Sequence, residues 1–213
     1  MVRHRWWPLV VLLMALPAPA APLTRDQALA AAEQGDLAVR LRGIERLAEI
    51  GAMADANRLL PRLRDADARV RRAVEAAIWT LWGRSGDPPI DKLYARGLAQ
   101  MDASALVDAL ATFDDIVRRK PAFAEGWNKR ATVHFLLGHN TQSLQDCDEA
   151  LERNPHHFGA LSGAGQIHLQ MGHLELALAF FKRAIAINPN LEGLAQAIHE
   201  LEQRLQDEGG MST

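Results

Sequence analysis

Beyond residue 23, apolar positions recur at the three-to-four-residue spacing of one helix face, so the chain reads as amphipathic helices separated by short polar turns. Three of these stretches, FDDIVRRK, CDEALERN and FKRAIAIN, run into Pro121, Pro155 and Pro189. Proline lacks an amide donor and clashes with the preceding turn, so each of the three predicts a helix end. The prolines are 34 residues apart, and the same interval relates Leu93, Trp127 and Leu161, then Ala109, Ser143 and Ala177, then Phe113, Cys147 and Phe181. Gly138 and Gly172 mark a turn inside the second and third units, which divides each unit into two helices of about a dozen residues.

A 34-residue helical period with large and small residues at fixed places resembles the tetratricopeptide repeat. The units are 90–123, 124–157 and 158–191, within an array spanning 88–191. The resemblance lies in the period, in Trp127, in Ala164-Gly165, in Ala109 and Ala177, in Phe113 and Phe181, and in the three prolines. Unit two departs from the pattern with Arg130-Ala131 in place of Leu-Gly and with His134 in place of Tyr. Residues 192–213 add an amphipathic helix and tail, with Leu194, Ile198, Leu201 and Leu205 on one face to cover the open end of the array.

Residues 21–87 repeat differently. Gly35 to Gly51 and Ala66 to Trp82 align at an offset of about 31, which superposes Asp36 on Asp67 and Val39-Arg40 on Val70-Arg71. Each aspartate stands at a helix N-cap, and Thr24 with Gln27 forms a capping-box pattern ahead of another helix. A fourth helical stretch, 54–64, is interrupted by Pro61. The Asp-x-x-Val-Arg signature resembles short HEAT-type repeats over about residues 24–83, and that resemblance implies a ladder pairing Arg40 and Arg71 with Asp36 and Asp67. The expected fold is all-α, an α-solenoid in which a HEAT-like pair precedes three tetratricopeptide units and a capping helix. Residues 83–89, GRSGDPP, are the expected junction.

The N-terminus changes the picture from fold to location. Arg3, His4 and Arg5, an apolar run from Trp6 to Leu16, and Ala18-Pro19-Ala20 read as a signal peptide over residues 1–20, cleaved after Ala20. A run of about eleven residues is too short to cross a bilayer as a helix, so stable membrane insertion after cleavage is not expected and the periplasm of a bacterium is. Losing Arg3 and Arg5 takes the formal charge from −2 to −4, a balance that gives no reason to expect a nucleic-acid partner.

Candidate chemistry is sparse. The one cysteine, Cys147, stands where the other units carry Phe, so it is expected to be buried. Asp114 and Asp115 are adjacent on a helix and point apart, which does not suit a two-carboxylate mechanism. Seven histidines follow the signal, and the repeat accounts for four: His134 with His168, and His139 with His173. Equivalent positions in packed neighbouring helices lie roughly 10 Å apart, too far to share a zinc ion. His156, His157 and His139 are the least unsuited ligands, and no metal, cofactor or catalytic residue is expected. The arginines of Arg40-x-Arg42 and Arg69-x-Arg71-Arg72 are interleaved with acids that cancel their field.

Surface is what remains. In tetratricopeptide repeats the first helix of each unit lines a concave groove. That resemblance turns Asp91, Tyr94, Leu98, Met101, Glu125, Asn128, Thr132, Phe135, Ser162, Gln166 and Leu169 inward. The Lys, Asn and Arg places of the variety that clamps a chaperone's C-terminal carboxylate are not supplied by Tyr94, Leu98, Ser162 and Gly163. The expected function is a non-enzymatic adaptor or scaffold that holds a peptide or helix of a protein partner. A structural subunit of a permanent envelope assembly is the alternative, ahead of an enzyme. Trp127 is expected to pack between the helices of its own unit and the preceding one.

Overall fold

The computed structural model describes residues 21–210, and the expected signal peptide over residues 1–20 lies outside them. Eleven α-helices and no strands make up the described residues. The first two hairpins are α1 (Arg25–Glu33) with α2 (Leu37–Ile50), and the short α3 (Ala56–Leu59) with α4 (Ala68–Trp82). Pro61 does not end the second hairpin's first helix outright; the chain continues as a 3₁₀ turn over Leu60–Arg64. Thr24 forms its capping box with Gln27, Asp36 accepts from Val39 N at 2.9 Å, and Asp67 accepts from Arg69 N at 2.8 Å.

Those caps overturn the expected arginine ladder. Asp36 and Asp67 are spent on their own helix N-termini, so Arg40 pairs with buried Asp65. Arg71 donates to Asn190 Oδ1 at 2.9 Å and to the carbonyls of Asp65 and Ala66.

The repeat array follows as three hairpins: α5 (Pro88–Asp102) with α6 (Leu106–Arg119), α7 (Ala124–Leu136) with α8 (Asn140–Arg153), and α9 (Phe158–Gln170) with α10 (Leu174–Ile187). Helix α11 (Leu194–Gly210) packs on α10, and Leu201, Leu194, Ile198 and Leu205 join the Leu174–Phe181 cluster. Within a unit the helices close around a ring against bare backbone. A Cβ on Gly97 would meet Phe113 Cζ at 2.7 Å, and one on Gly165 would meet the Phe181 ring at 2.5 Å. Units one and three therefore require glycine opposite phenylalanine.

Trp127 does not enter this core. Ile116 and Phe123 already fill the space beside the start of α7, where a Cβ on Gly126 would stand 2.8 Å from Ile116 Cγ2. The half-buried indole lies instead between the guanidinium groups of Arg130 and Arg153, each 4.8 Å from the ring centroid, and donates to Pro121 O at 2.8 Å.

The sequence carries no sign of how the two halves meet. The N-terminal hairpins fold back onto the third unit: Phe158, Ile187 and Leu191 pack into their core, and Asn190 Nδ2 donates to Leu63 O at 2.7 Å. Trp79 and Trp82 of α4 meet the Phe158 ring at centroid distances of 5.0 and 4.9 Å. A Cβ on Gly159 would reach Trp79 Cη2 at 2.4 Å, so the indole rests on the backbone of α9. Helix α4 thus covers part of the face formed by α5, α7 and α9.

Candidate functional site

Two clefts remain on that face, divided by the start of α7. The first, of about 400 Å³, is lined by Trp79, Thr80, Gly83, Tyr94, Leu98, Glu125 and Lys129. Its floor is a buried polar network. Glu125 receives Tyr94 Oη at 3.0 Å, Asn128 Nδ2 at 3.1 Å and the Lys129 ammonium at 3.2 Å. Its second oxygen also meets His157 Nε2 at 2.6 Å. Ala160 N donates to His157 Nδ1 at 3.1 Å, so this imidazole caps α9 and must carry its proton on Nε2, facing the carboxylate. Trp82 stacks on the same ring with centroids 4.4 Å apart.

Both ionisable partners are almost fully removed from water, Glu125 at 1% and His157 at 0% exposure. Burial pushes the Glu125 carboxyl up, but the hydrogen bond from His157 and the charge and hydrogen bond of Lys129 outweigh it and hold the group at about 2. Burial and the neighbouring Glu125 charge push the Tyr94 phenol far above its ordinary range, so it remains a donor. Glu125 points inward as expected but is saturated by four donors. Those four bonds hold it in the floor of the cleft.

The second cleft is a smaller slot of about 130 Å³ between α7, α8 and α9, lined by Asn128, Ala131, Thr132, Phe135, Ser143, Cys147, Gly159, Gly163, Gln166 and Ile167. Its origin lies in the repeat. At the places of Gly97/Phe113 and Gly165/Phe181, unit two carries Ala131 and Cys147, which exchanges a phenyl ring for a thiol. The added methyl of Ala131 does not replace the missing ring, and space is left beside Cys147. Burial, then the charges of Asp148 and Asp146, push that thiol up to about 12, so at neutral pH it is an apolar wall and not a nucleophile.

Four of the inward-facing residues line the slot (Asn128, Thr132, Phe135 and Gln166) and three line the larger cleft (Tyr94, Leu98 and Glu125). Met101 packs into the unit-one core and Leu169 into the unit-three core, while Ser162 Oγ is buried without a partner and lines neither cleft. Asp91 accepts from Ser85 N and Oγ at 2.8 and 2.6 Å and fixes the junction before α5. Trp79 and Lys129 were not singled out from the sequence, and His157 was named there only among the least unsuited metal ligands. Lys129 follows Asn128 on α7, but Trp79 enters only through the fold-back. His157 stands in the turn between α8 and α9 and is buried there as the cap of α9.

Residues 128–192 match the tetratricopeptide repeat family. A TPR repeat-containing protein of Rhizobium etli is 32% identical over 124 residues, which cover 58% of this chain and 61% of that protein. The chain thus spans about three fifths of the length of this curated relative. Among solved structures, the Sgt2 TPR domain from Aspergillus fumigatus superposes with a TM-score of 0.54 at 18% identity, covering 58% of this chain and 83% of that one. The first TPR of Spaghetti (RPAP3), bound to an HSP90 peptide, superposes at 0.53 with 20% identity, covering 55% and 93%. At such identities the likeness is one of fold. Residues 128–192 form a tetratricopeptide-repeat segment inside an all-helical solenoid.

Proposed function

We propose that this protein is a non-enzymatic adaptor that holds an extended segment or helix of a protein partner against α7 and α9, with one apolar side chain of that partner seated in the slot beside Cys147. The observation that carries this reading is the Ala131/Cys147 exchange, which opens an apolar socket in the one unit whose ring is missing. Asn128 and Gln166 place amides at its rim, and Phe135 and Ile167 supply apolar walls, the chemistry of side-chain anchoring beside backbone hydrogen bonds. The bound peptide in the Spaghetti structure, SRMEEVD, supports peptide holding as a use of this fold. Its acidic end is not the ligand proposed for this groove. Among the residues lining the two clefts Lys129 is the only cation, and Glu125 engages it.

The proposal includes export to the bacterial periplasm, supported by the basic start, the apolar run and Ala18-Pro19-Ala20. No helix among the described residues is long and apolar enough to cross a membrane. N-terminal sequencing of protein recovered from the producing cell is expected to begin at Ala21; an intact Met1 in a membrane fraction would contradict it. A HEAT-like origin for the first two hairpins belongs to the same reading, supported by the 31-residue offset between Asp36 and Asp67 and by the caps both make.

The groove is tested by filling it. Ala131→Gly with Cys147→Phe rebuilds the arrangement of the other two units and closes the slot. A photo-crosslinker at exposed Gln166 identifies what the native protein holds. The double variant is expected to keep its helical content and lose at least tenfold in capture of that partner. Equal capture by the filled variant would sink the groove reading.

A further inference from the structure

Units two and three end their first helices identically. Gly138 N donates to Phe135 O at 2.9 Å and His139 N to His134 O at 2.8 Å; in the third unit Gly172 N donates to Leu169 O at 3.1 Å and His173 N to His168 O at 2.9 Å. The bond that spans five residues presses the side chains at its two ends together, a place ordinarily filled by a hydrophobic contact. Here both ends are imidazoles. The two Nδ1 atoms lie 3.3 Å apart in His134/His139 and 3.4 Å apart in His168/His173. Ring centroids are 5.6 Å apart in both pairs, with planes inclined by 50° and 47°. The sequence pattern drew attention to equivalent histidines 34 residues apart, whereas the turn pairs them within a unit.

Two imidazole nitrogens at this separation either share a proton or hold a cation. With metal–nitrogen bonds of about 2.0–2.1 Å, a separation of 3.3–3.4 Å subtends roughly 105–115°, the tetrahedral angle that Zn²⁺ adopts. The ~90° of square-planar copper(II) would need about 2.9 Å. The turn brings the two side chains side by side before any metal arrives. Behind His134, Asp146 Oδ2 stands 3.9 Å from Nε2, beyond hydrogen-bond distance, and is held by Arg130. His168 lies flat on Phe180, with centroids 5.4 Å apart and planes 20° off parallel.

We propose that His134 with His139 and His168 with His173 are two equivalent Zn²⁺ sites, each using both Nδ1 atoms and leaving two positions open to solvent. Neighbouring units are packed roughly 10 Å apart, so the two sites are mononuclear. Unit one is a built-in control, because it makes the same turn, Ala105 N to Gln100 O at 2.8 Å, with no imidazole at either end.

The test is a calorimetric titration of the full chain, free of any polyhistidine tag, with zinc chloride. The expected stoichiometry is two ions per chain, one after either His139→Ala or His173→Ala, and none after both. Gln100→His with Ala105→His is expected to raise it to three. A Co²⁺ titration is expected to give the intense visible absorption of tetrahedral cobalt, lost in the double alanine variant. His139 and His173 are exposed, so their removal leaves the core intact. Unchanged zinc uptake in the double variant, no uptake by the native chain at millimolar zinc, or a cobalt spectrum of octahedral type each overturns the proposal.

Discussion

In α1–α4, helix is tied to helix by arginine. Arg25 pairs with Asp55, Arg40 with Asp65 and Arg58 with Glu33, while Arg84 reaches back to the carbonyls of Ala48, Glu49 and Gly51. In α5–α10, units one and three close instead on a phenyl ring against a glycine, at Gly97/Phe113 and Gly165/Phe181, and unit two, which lacks that ring, is tied by arginine, from Arg130 to Asp146 and Asp114. A ring on bare backbone is specified by spacing along the chain, since only one residue can stand opposite. A guanidinium on a long stem can choose among several carboxylates and carbonyls. The repeat array therefore announces its geometry in its 34-residue period, and the N-terminal hairpins announce only their helices. Where the two halves meet, at His157, Glu125 and the tryptophans of α4, a carboxylate and an imidazole are both buried in one hydrogen-bond network.

The largest expected effect lies at that seam. His157→Ala strips Glu125 of its closest donor and removes the cap from α9, and breaking a buried pair from one side costs about 3–5 kcal/mol. Chemical denaturation should show this as a lower midpoint for the whole chain; a loss under 1 kcal/mol would mean that Lys129, Tyr94 and Asn128 suffice for the carboxylate. The same network predicts an acid limb. Glu125 is held at about 2 against an ordinary value of 4.5, so its contribution is fully present above pH 4.5 and is lost as pH falls from there towards 2. That loss is on the order of 3 kcal/mol, and Glu125→Gln should flatten it.

Gly159→Ala separates the halves more selectively. The new methyl would meet the rigid Trp79 indole at 2.4 Å, so the seam must open or α9 must shift, at about 1–3 kcal/mol. Faster hydrogen exchange is expected in α4 and at the start of α9, with α5–α6 unaffected. Uniform acceleration across all helices would show that the two halves unfold as one unit and that the fold-back is not a separable interface.

How much of this was legible follows the same division. Helix positions in the array, its 34-residue period and the N-caps at Asp36 and Asp67 were readable because caps and ring contacts are local or periodic. The slot was half readable: Cys147 in the place of phenylalanine was visible, but the space beside it depends on Ala131 and Gly163 as neighbours in three dimensions. The seam was not readable, because Trp79 and His157 share no period and meet only through a fold-back that no local propensity encodes. Trp127 was misplaced for a related reason. Its position in the repeat suggests a core residue, yet Phe123 and Ile116 occupy that space and two arginines take the indole instead. Trp127→Ala is accordingly expected to cost about 1–2 kcal/mol, the scale of two exposed cation–π contacts and one hydrogen bond, well short of a core truncation. A thermal melt that reports 4 kcal/mol or more would restore the core assignment.

The smallest effect tests whether the array's period is complete. The turn residues of the three units are Ser104, Gly138 and Gly172, spaced by 34, and all three have positive φ, at 57°, 79° and 77°. Glycine enters this region freely, whereas an L-residue is strained there by roughly 1 kcal/mol. Unit one thus makes its turn with the wrong residue for its conformation. Ser104→Gly should relieve that strain while losing a little to the greater freedom of glycine in the unfolded chain, for a net gain of about 0.5–1 kcal/mol. For a domain of this size the melting temperature should rise by about 1–3 °C. The reverse change, Gly138→Ser, should lower it by a similar amount. Opposite signs at the two positions would show that the turn conformation itself sets the preference; a loss at both would mean that the Ser104 hydroxyl contributes something its backbone angle does not reveal. Hydrogen exchange should localise the gain to α5 and α6, leaving the arginine-tied hairpins unchanged.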